Sequence, residues 1–338
     1  MKLIIRVPNW VGDAVMALPA VDAARACTGV DIVAIMTRSV TAPLFRGRFG
    51  VDRVVVIDDK GPRLGDPWRA ARLIRGDRFS LGVTLAPSFS SALIFRLAQI
   101  PRRIGYAGDC RSWLLNQAVK RPRQVWHRVN EYLHLLEQIT GSAIAAAPPS
   151  LIFSKDDNHR GESVLAGHGL GYADRYIAIA PRAAAPSRRW GGDNYRRLAL
   201  RLTSELQYHV VLIGAAADHQ AGEDVRQANP SRVHNLCGQT DLLAAGAILA
   251  QGAIFIGNDS GLAHLAAAAG CPVVVLSGAD NPDETSPVSD RKRVIIKEID
   301  CIRCVKNVCP KSGAAFMQCL KLITVDEVFH AATEIIRT

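Results

Sequence analysis

The sequence predicts an α/β protein built as two Rossmann-like halves, with parallel sheets facing a central cleft. Three observations carry this expectation. Apolar runs of four to seven residues alternate with amphipathic stretches along the 338-residue chain, the grammar of βαβ units. Hydrophobic residues make up 49% and charged residues 21% of it, enough for a sizeable core and incompatible with a disordered chain. The alternation pauses at 143–149, a small, proline-containing stretch, which sets residues 1–150 and 151–338 as the two domains.

The elements follow in order. Leu3–Val7 reads as a buried strand leading into a helix over Gly12–Cys27, and Asp31–Met36 and Val51–Ile57 read as further strands. A helix over Pro67–Arg75 precedes a strand over Leu81–Leu85, then a helix near Ala92–Leu97 and a short strand over Arg103–Tyr106. In the second half, Tyr176–Pro181, His209–Gly214, Val233–Cys237, Ala253–Asp259 and Pro272–Ser277 are strands. Helices over Asn194–Leu206, His219–Ala228, Leu242–Gln251 and Gly261–Ala269 separate them, and Val325–Arg337 closes the chain after a Cys-rich segment at 301–319.

Charge is unevenly spread. The chain carries 41 Lys and Arg against 31 Asp and Glu. Residues 1–150 hold 21 basic and 11 acidic side chains, whereas 151–338 hold 20 of each, so the net +10 sits in the first half. An anionic partner handled there is expected: nucleic acid, an anionic membrane surface or an acidic glycolipid. The longest uncharged run, Ser260–Ala279, is interrupted by Gly270-Cys271-Pro272 and is not a membrane span, and Arg6, Pro8 and Asp13 break any signal-peptide core. A cytoplasmic protein is expected, in which eight cysteines serve as thiols or metal ligands rather than structural disulfides.

Four segments could carry chemistry. The first strand runs into Pro8-Asn9-Trp10-Val11-Gly12-Asp13, a strand–turn–helix that places backbone donors at the sheet's carboxyl edge. Asp13 there can stabilise a helix start or act as a general base. Phe255–His264 has the same form, with Asp259 ending the strand and Ser260, Gly261 and Leu262 opening a helix whose free amides suit a diphosphate; His264 follows on that helix. Pro181–Trp190, containing Arg188, fits a phosphate-clamping loop or a solvated basic one. Cys301-x2-Cys304-x4-Cys309-x9-Cys319 could hold a structural zinc or, with less warrant, an iron–sulfur cluster; free thiols or a disulfide pair fit the spacing too. The three-glycine dinucleotide fingerprint is missing, which argues against a nicotinamide-dependent oxidoreductase.

The order and spacing of Val7–Ala17, Ser88–Leu93, Ile100–Tyr106, Arg188-Arg189-Trp190 with Tyr195, Gly214–His219 and Asn258–Ala267 resemble the ADP-heptose–lipopolysaccharide heptosyltransferases (glycosyltransferase family 9), nearest their heptosyltransferase II branch. The resemblance implies a GT-B fold, with the acceptor bound by the N-terminal domain and an ADP-activated heptose by the C-terminal one. It further implies inversion at the anomeric carbon and no cofactor required for catalysis. Asp13 then matches the general base, and Asp259, Ser260, Gly261, Leu262 and His264 the donor-binding turn. Arg188 stands where the resemblance leads one to expect a lysine facing the donor phosphates, and Asp218 is placed to reach the ribose. On the acceptor side, Lys60, Arg63, Ser88, Ser90 and Arg103 are chosen by location and charge. The expected partners are ADP-heptose and the anionic inner-core glycolipid, met by a monomer at the cytoplasmic face of the inner membrane, with nucleic acid set aside. The alternatives are a GT-B transferase using another nucleotide sugar or acceptor, and a metal- or redox-binding protein centred on the four cysteines.

Overall fold

The computed structural model describes residues 1–27, 29–57, 66–171 and 174–337. The chain divides into two compact units, the first ending at Ser150 and the second beginning at Leu151.

In the first unit, β1 (Lys2–Arg6), β2 (Ile32–Arg38), β3 (Arg53–Ile57), β4 (Leu81–Thr84), β5 (Arg102–Tyr106) and β6 (Gln117–Val119) form one sheet in the order β3-β2-β1-β4-β5-β6. Every pairing is parallel, with Leu3 beside Val33 on one side and Leu81 on the other. Leu3, Ile4, Ile5, Leu81 and Val83 are fully buried, as a sheet covered on both faces requires. The chain reverses direction across the sheet between β1 and β4, so the loops after these two strands flank its switch point.

The second unit repeats the plan. β7 (Tyr176–Ala180), β8 (His209–Leu212), β9 (Val233–Asn235), β10 (Phe255–Asn258), β11 (Val273–Leu276) and β12 (Lys292–Ile295) are ordered β12-β11-β10-β7-β8-β9, again all parallel. Counted within the unit this is the same winding, with its switch point between β7 and β10. The closing helix Val325–Arg337 buries Val328, Phe329 and Ala332 in the core with Leu198, Leu212 and Ile256.

Several elements depart from the sequence expectation. The helix expected over Gly12–Cys27 is two helices, Val11–Met16 and Leu18–Ala24, because Pro19 opens the second and cannot donate to the first. The edge strands β6 and β12 have no counterpart in the expectation. One has three residues, and the other opens on exposed Lys292 and Arg293, so neither shows an apolar run. Two thirteen-residue helices were also not expected. Arg128–Thr140 is capped by His127 and stopped at Gly141, whose φ of 70° supplies the left-handed turn, and Lys155–Gly167 opens on a Ser154–Asp157 capping box.

Candidate functional site

At the first switch point the loop after β1 is held from within. Arg6 is buried, and its guanidinium donates to the carbonyls of Val7 and Met36 and to Asn9 Oδ1. This braces the turn that delivers half-buried Asp13 into the first turn of Val11–Met16. Tyr132, from the helix Arg128–Thr140, donates its hydroxyl to Asp13 Oδ1 at 3.4 Å. Burial and the Asp13 charge push that phenol well above its ordinary range, so it keeps its proton. Arg128 lies one turn earlier on the same face. Burial weakens its hold on a proton, but Tyr132, Glu131 and Asp13 outweigh that and leave its pKa raised.

The loop after β4 starts the helix Phe89–Leu97, with Ser88 Oγ accepting from the Ser91 amide at 3.3 Å and lying 3.1 Å from Ser90 Oγ. Both serines are exposed at the carboxyl edge. Beneath them Arg111 is 2% exposed, and burial lowers its pKa. It donates to the Tyr106 carbonyl at 3.0 and 2.8 Å and to the Ala86 carbonyl at 2.6 Å, tying β5 to the Ser88 turn. Arg103 does not join this edge. It sits near the amino end of β5, and its guanidinium is spent on the carbonyls of Leu114 (2.7 Å) and Ile100 (2.6 Å). Lys60 and Arg63 lie outside the described residues.

At the second switch point the loops after β7 and β10 meet. Asn258, ending β10, accepts at Oδ1 from the Trp190 amide at 2.9 Å, which joins the two loops. Asp259 is 5% exposed, and its carboxyl is pushed up to about 7 by burial and by the Asp280 charge, with Arg188 pulling the other way. His264 Nε2 stands 3.9 Å from Asp259 Oδ1. Arg188 Nε lies 2.5 Å from Asp280 Oδ2, so its cation is already paired to a carboxylate.

Ser260 occupies the N-cap position of Gly261–Ala268 but makes no cap bond with its side chain. Its Oγ, together with Asn258 Nδ2, Asp259 Oδ2 and Ser277 Oγ, is buried with no hydrogen-bond partner. Buried polar atoms are normally satisfied, so four orphans around one helix start mark a place built for a polar ligand. The first-turn amides of Gly261 and Leu262 lack intrahelical acceptors and add the positive end of the helix dipole. Asp218 lies after β8, where Oδ2 accepts from the Ala215 amide at 3.0 Å and Oδ1 is 3.9 Å from Arg182 Nε. Next to it Gly238, at φ 82°, comes so close to this turn that a Cβ would sit 2.7 Å from the Ala216 Cα.

The cysteine segment packs against the Arg188 loop. Ser187 donates from Oγ to the Lys306 carbonyl at 2.5 Å and from its amide to the Asn307 carbonyl at 3.2 Å, while Val305 donates to Ala279 at 2.7 Å. Cys301, Cys304, Cys309 and Cys319 are free thiols lining one cavity of about 30 Å³, and burial raises Cys319. Among the described residues no three His, Cys, Asp or Glu side chains are arranged to hold a metal ion, so the expected zinc gains no support from this geometry.

Of the residues singled out in the sequence, Asp13, Arg188 and the Asp259–His264 turn lie at the loops of the two switch points. Arg128, Tyr132, Arg111 and Asp280 lie beside the same loops and carry little mark of it in the sequence. The one available signal was the i, i+4 spacing of Arg128 and Tyr132, which only a recognised helix would have made visible.

Two parallel sheets of Rossmann order, with these loops at their switch points, are the architecture of the GT-B fold. Residues 68–315 match the model of glycosyltransferase family 9 (heptosyltransferase). The chain is 32% identical over 306 residues to lipopolysaccharide heptosyltransferase 2 of Salmonella typhimurium, covering 87% of this chain and 88% of the relative. The structure of E. coli ADP-heptose LPS heptosyltransferase II superposes with a TM-score of 0.83 at 28% identity, covering 100% of this chain and 99% of the other. A family 9 glycosyltransferase from Veillonella parvula gives 0.86 at 19% identity over 99% and 97% of the two chains, a likeness of fold. The chain belongs to glycosyltransferase family 9.

Proposed function

We propose that this enzyme transfers heptose from ADP-heptose to the lipopolysaccharide inner core, inverting the anomeric carbon. The four unpartnered buried polar atoms at the second switch point carry the donor side of this reading. Asn258, Asp259, Ser260 and Ser277 offer hydrogen bonds to the sugar and diphosphate, and His264 stands behind Asp259. As the glycosidic bond to ADP breaks, charge develops on the diphosphate. Arg188 and the Gly261 and Leu262 amides stabilise that charge without a catalytic metal. Asp218 is assigned to the ribose.

On the acceptor side Asp13 takes the proton from the attacking hydroxyl. A carboxylate held at a sheet's carboxyl edge by a tyrosine that stays protonated is fixed in position before the acceptor arrives. Ser88 and Ser90 serve as acceptor contacts; Arg103, committed to carbonyls, is withdrawn from that role. The net positive charge of the first unit suits a phosphorylated, carboxylated glycolipid. The enzyme works as a monomer in the cytoplasm, at the inner face of the membrane that carries its acceptor. Contact with that surface is proposed to be peripheral; among the described residues no helix is long and apolar enough to cross a membrane.

The test is Asp13→Asn. Transfer is expected to fall at least about a hundredfold, the lower range of general-base contributions, while ADP affinity stays unchanged. Near-normal transfer by this variant would overturn the assignment.

A further inference from the structure

The helix Asp66–Arg75 has two faces with opposite tasks. Pro67, Ala70, Ala71 and Ile74 are buried, the last three among Ile4, Val55, Phe79 and Ile94 in the core of the first unit. That alone accounts for the helix's place in the fold. Its other face nonetheless exposes two large apolar side chains, Trp68 (53%) and Leu73 (51%). Around them stand Arg69, Arg72 and Arg75, with Arg78 just beyond the helix, all exposed.

The only acidic side chains on this stretch are Asp66, in the first turn, and Asp77, which pairs with Arg53. Arg72, Arg75 and Arg78 make no ion pair among the described residues. Arg96 is also exposed, on the neighbouring helix Phe89–Leu97 that packs alongside. A tryptophan and a leucine set beside Arg72, Arg75 and Arg78 match the boundary of an anionic bilayer, where the indole settles at headgroup depth and guanidinium groups meet lipid phosphates. A nucleic acid would use the charge but gives no reason for the exposed leucine.

We infer that the outer face of Asp66–Arg75 docks the enzyme onto an anionic phospholipid surface, with Trp68 and Leu73 entering the interface and Arg72, Arg75 and Arg78 binding headgroups. The inference rests on the proposed membrane-borne acceptor for its biological sense, yet it is tested without any transfer reaction.

The full chain is sedimented with vesicles of phosphatidylcholine alone, and with vesicles in which about a third of the lipid is phosphatidylglycerol. Wild type is expected to bind only the second kind and to be released by salt. The triple variant Arg72→Gln/Arg75→Gln/Arg78→Gln is expected to bind about a hundredfold more weakly, at roughly fivefold per arginine. Trp68→Ser/Leu73→Ser should also weaken binding, although its charge is unchanged. Both variants should retain wild-type turnover of a water-soluble, lipid-free acceptor. The inference is overturned if wild type ignores anionic vesicles, if the triple variant binds them as wild type does, or if either variant loses turnover of the soluble acceptor. Vesicle binding without heptose transfer would sink the proposed function and leave this inference standing. Transfer to a soluble acceptor without vesicle binding would do the reverse.

Discussion

Replacing Asp259 by asparagine isolates the electrostatics of the donor turn. Burial, with the Asp280 charge beside it, lifts this carboxyl from an ordinary 3.8 to about 7. A pKa raised in the fold means that the folded chain holds the proton more tightly than the unfolded one. The stabilisation is complete below the ordinary value and is lost as pH rises through about 7. About three units at roughly 1.4 kcal/mol each make the whole loss on the order of 4 kcal/mol, about half of it falling between pH ~5.5 and ~8.5. Asparagine cannot ionise, so Asp259→Asn removes this component. Urea unfolding of both proteins at the two pH values should show wild type losing about 2 kcal/mol more than the variant. A parallel pH dependence would refute the claim that Asp259 is buried beside Asp280 with too little compensation. The same reasoning carries to ligand binding: ADP should bind wild type less tightly above pH ~7 than below it, and the variant should flatten that slope.

Other expectations follow from single contacts. Arg111→Met leaves the buried Tyr106 carbonyl without either guanidinium bond, and unfolding should register a loss of about 1–3 kcal/mol; an unchanged urea midpoint would mean that the ligation is not needed. Ser187→Ala cuts the side-chain tie between the Arg188 loop and the cysteine segment. It should raise the KM for ADP-heptose several-fold, with kcat less affected, and an unaltered KM would show that the segment does not position Arg188.

The legible parts of the molecule were those in which one short segment holds its own signal. Apolar strand, turn and helix succeed one another within a dozen residues at both Asp13 and Asp259, so fold and candidate site were visible there together. Winding order and pairing were not, because nothing local distinguishes a switch point from any other βα turn. Asp280 is the clearest case. It is separated from Arg188 by more than ninety positions, and only the adjacency of β7, β10 and β11 brings the two charges to 2.5 Å. Arg111 shows the reverse failure. In sequence it is one more basic residue in an arginine-rich half, whereas in the fold it is a buried brace for the Ser88 turn. Arg103 carries an acceptor-side charge in the sequence, and the fold spends that charge on carbonyls. The edge strands are illegible for a simpler physical reason: β6 has three residues and β12 opens on exposed Lys292 and Arg293, so they bury too little to need an apolar run.

The central claim is heptose transfer from an ADP donor to an inner-core acceptor. The most direct measurement incubates the purified enzyme and ADP-heptose with truncated inner-core acceptors and follows the acceptor mass. Gain of one heptosyl unit with release of ADP is expected, absent when Asp13→Asn replaces wild type. No mass gain with ADP-heptose, alongside transfer from a UDP-, GDP- or CMP-linked sugar, would contradict it.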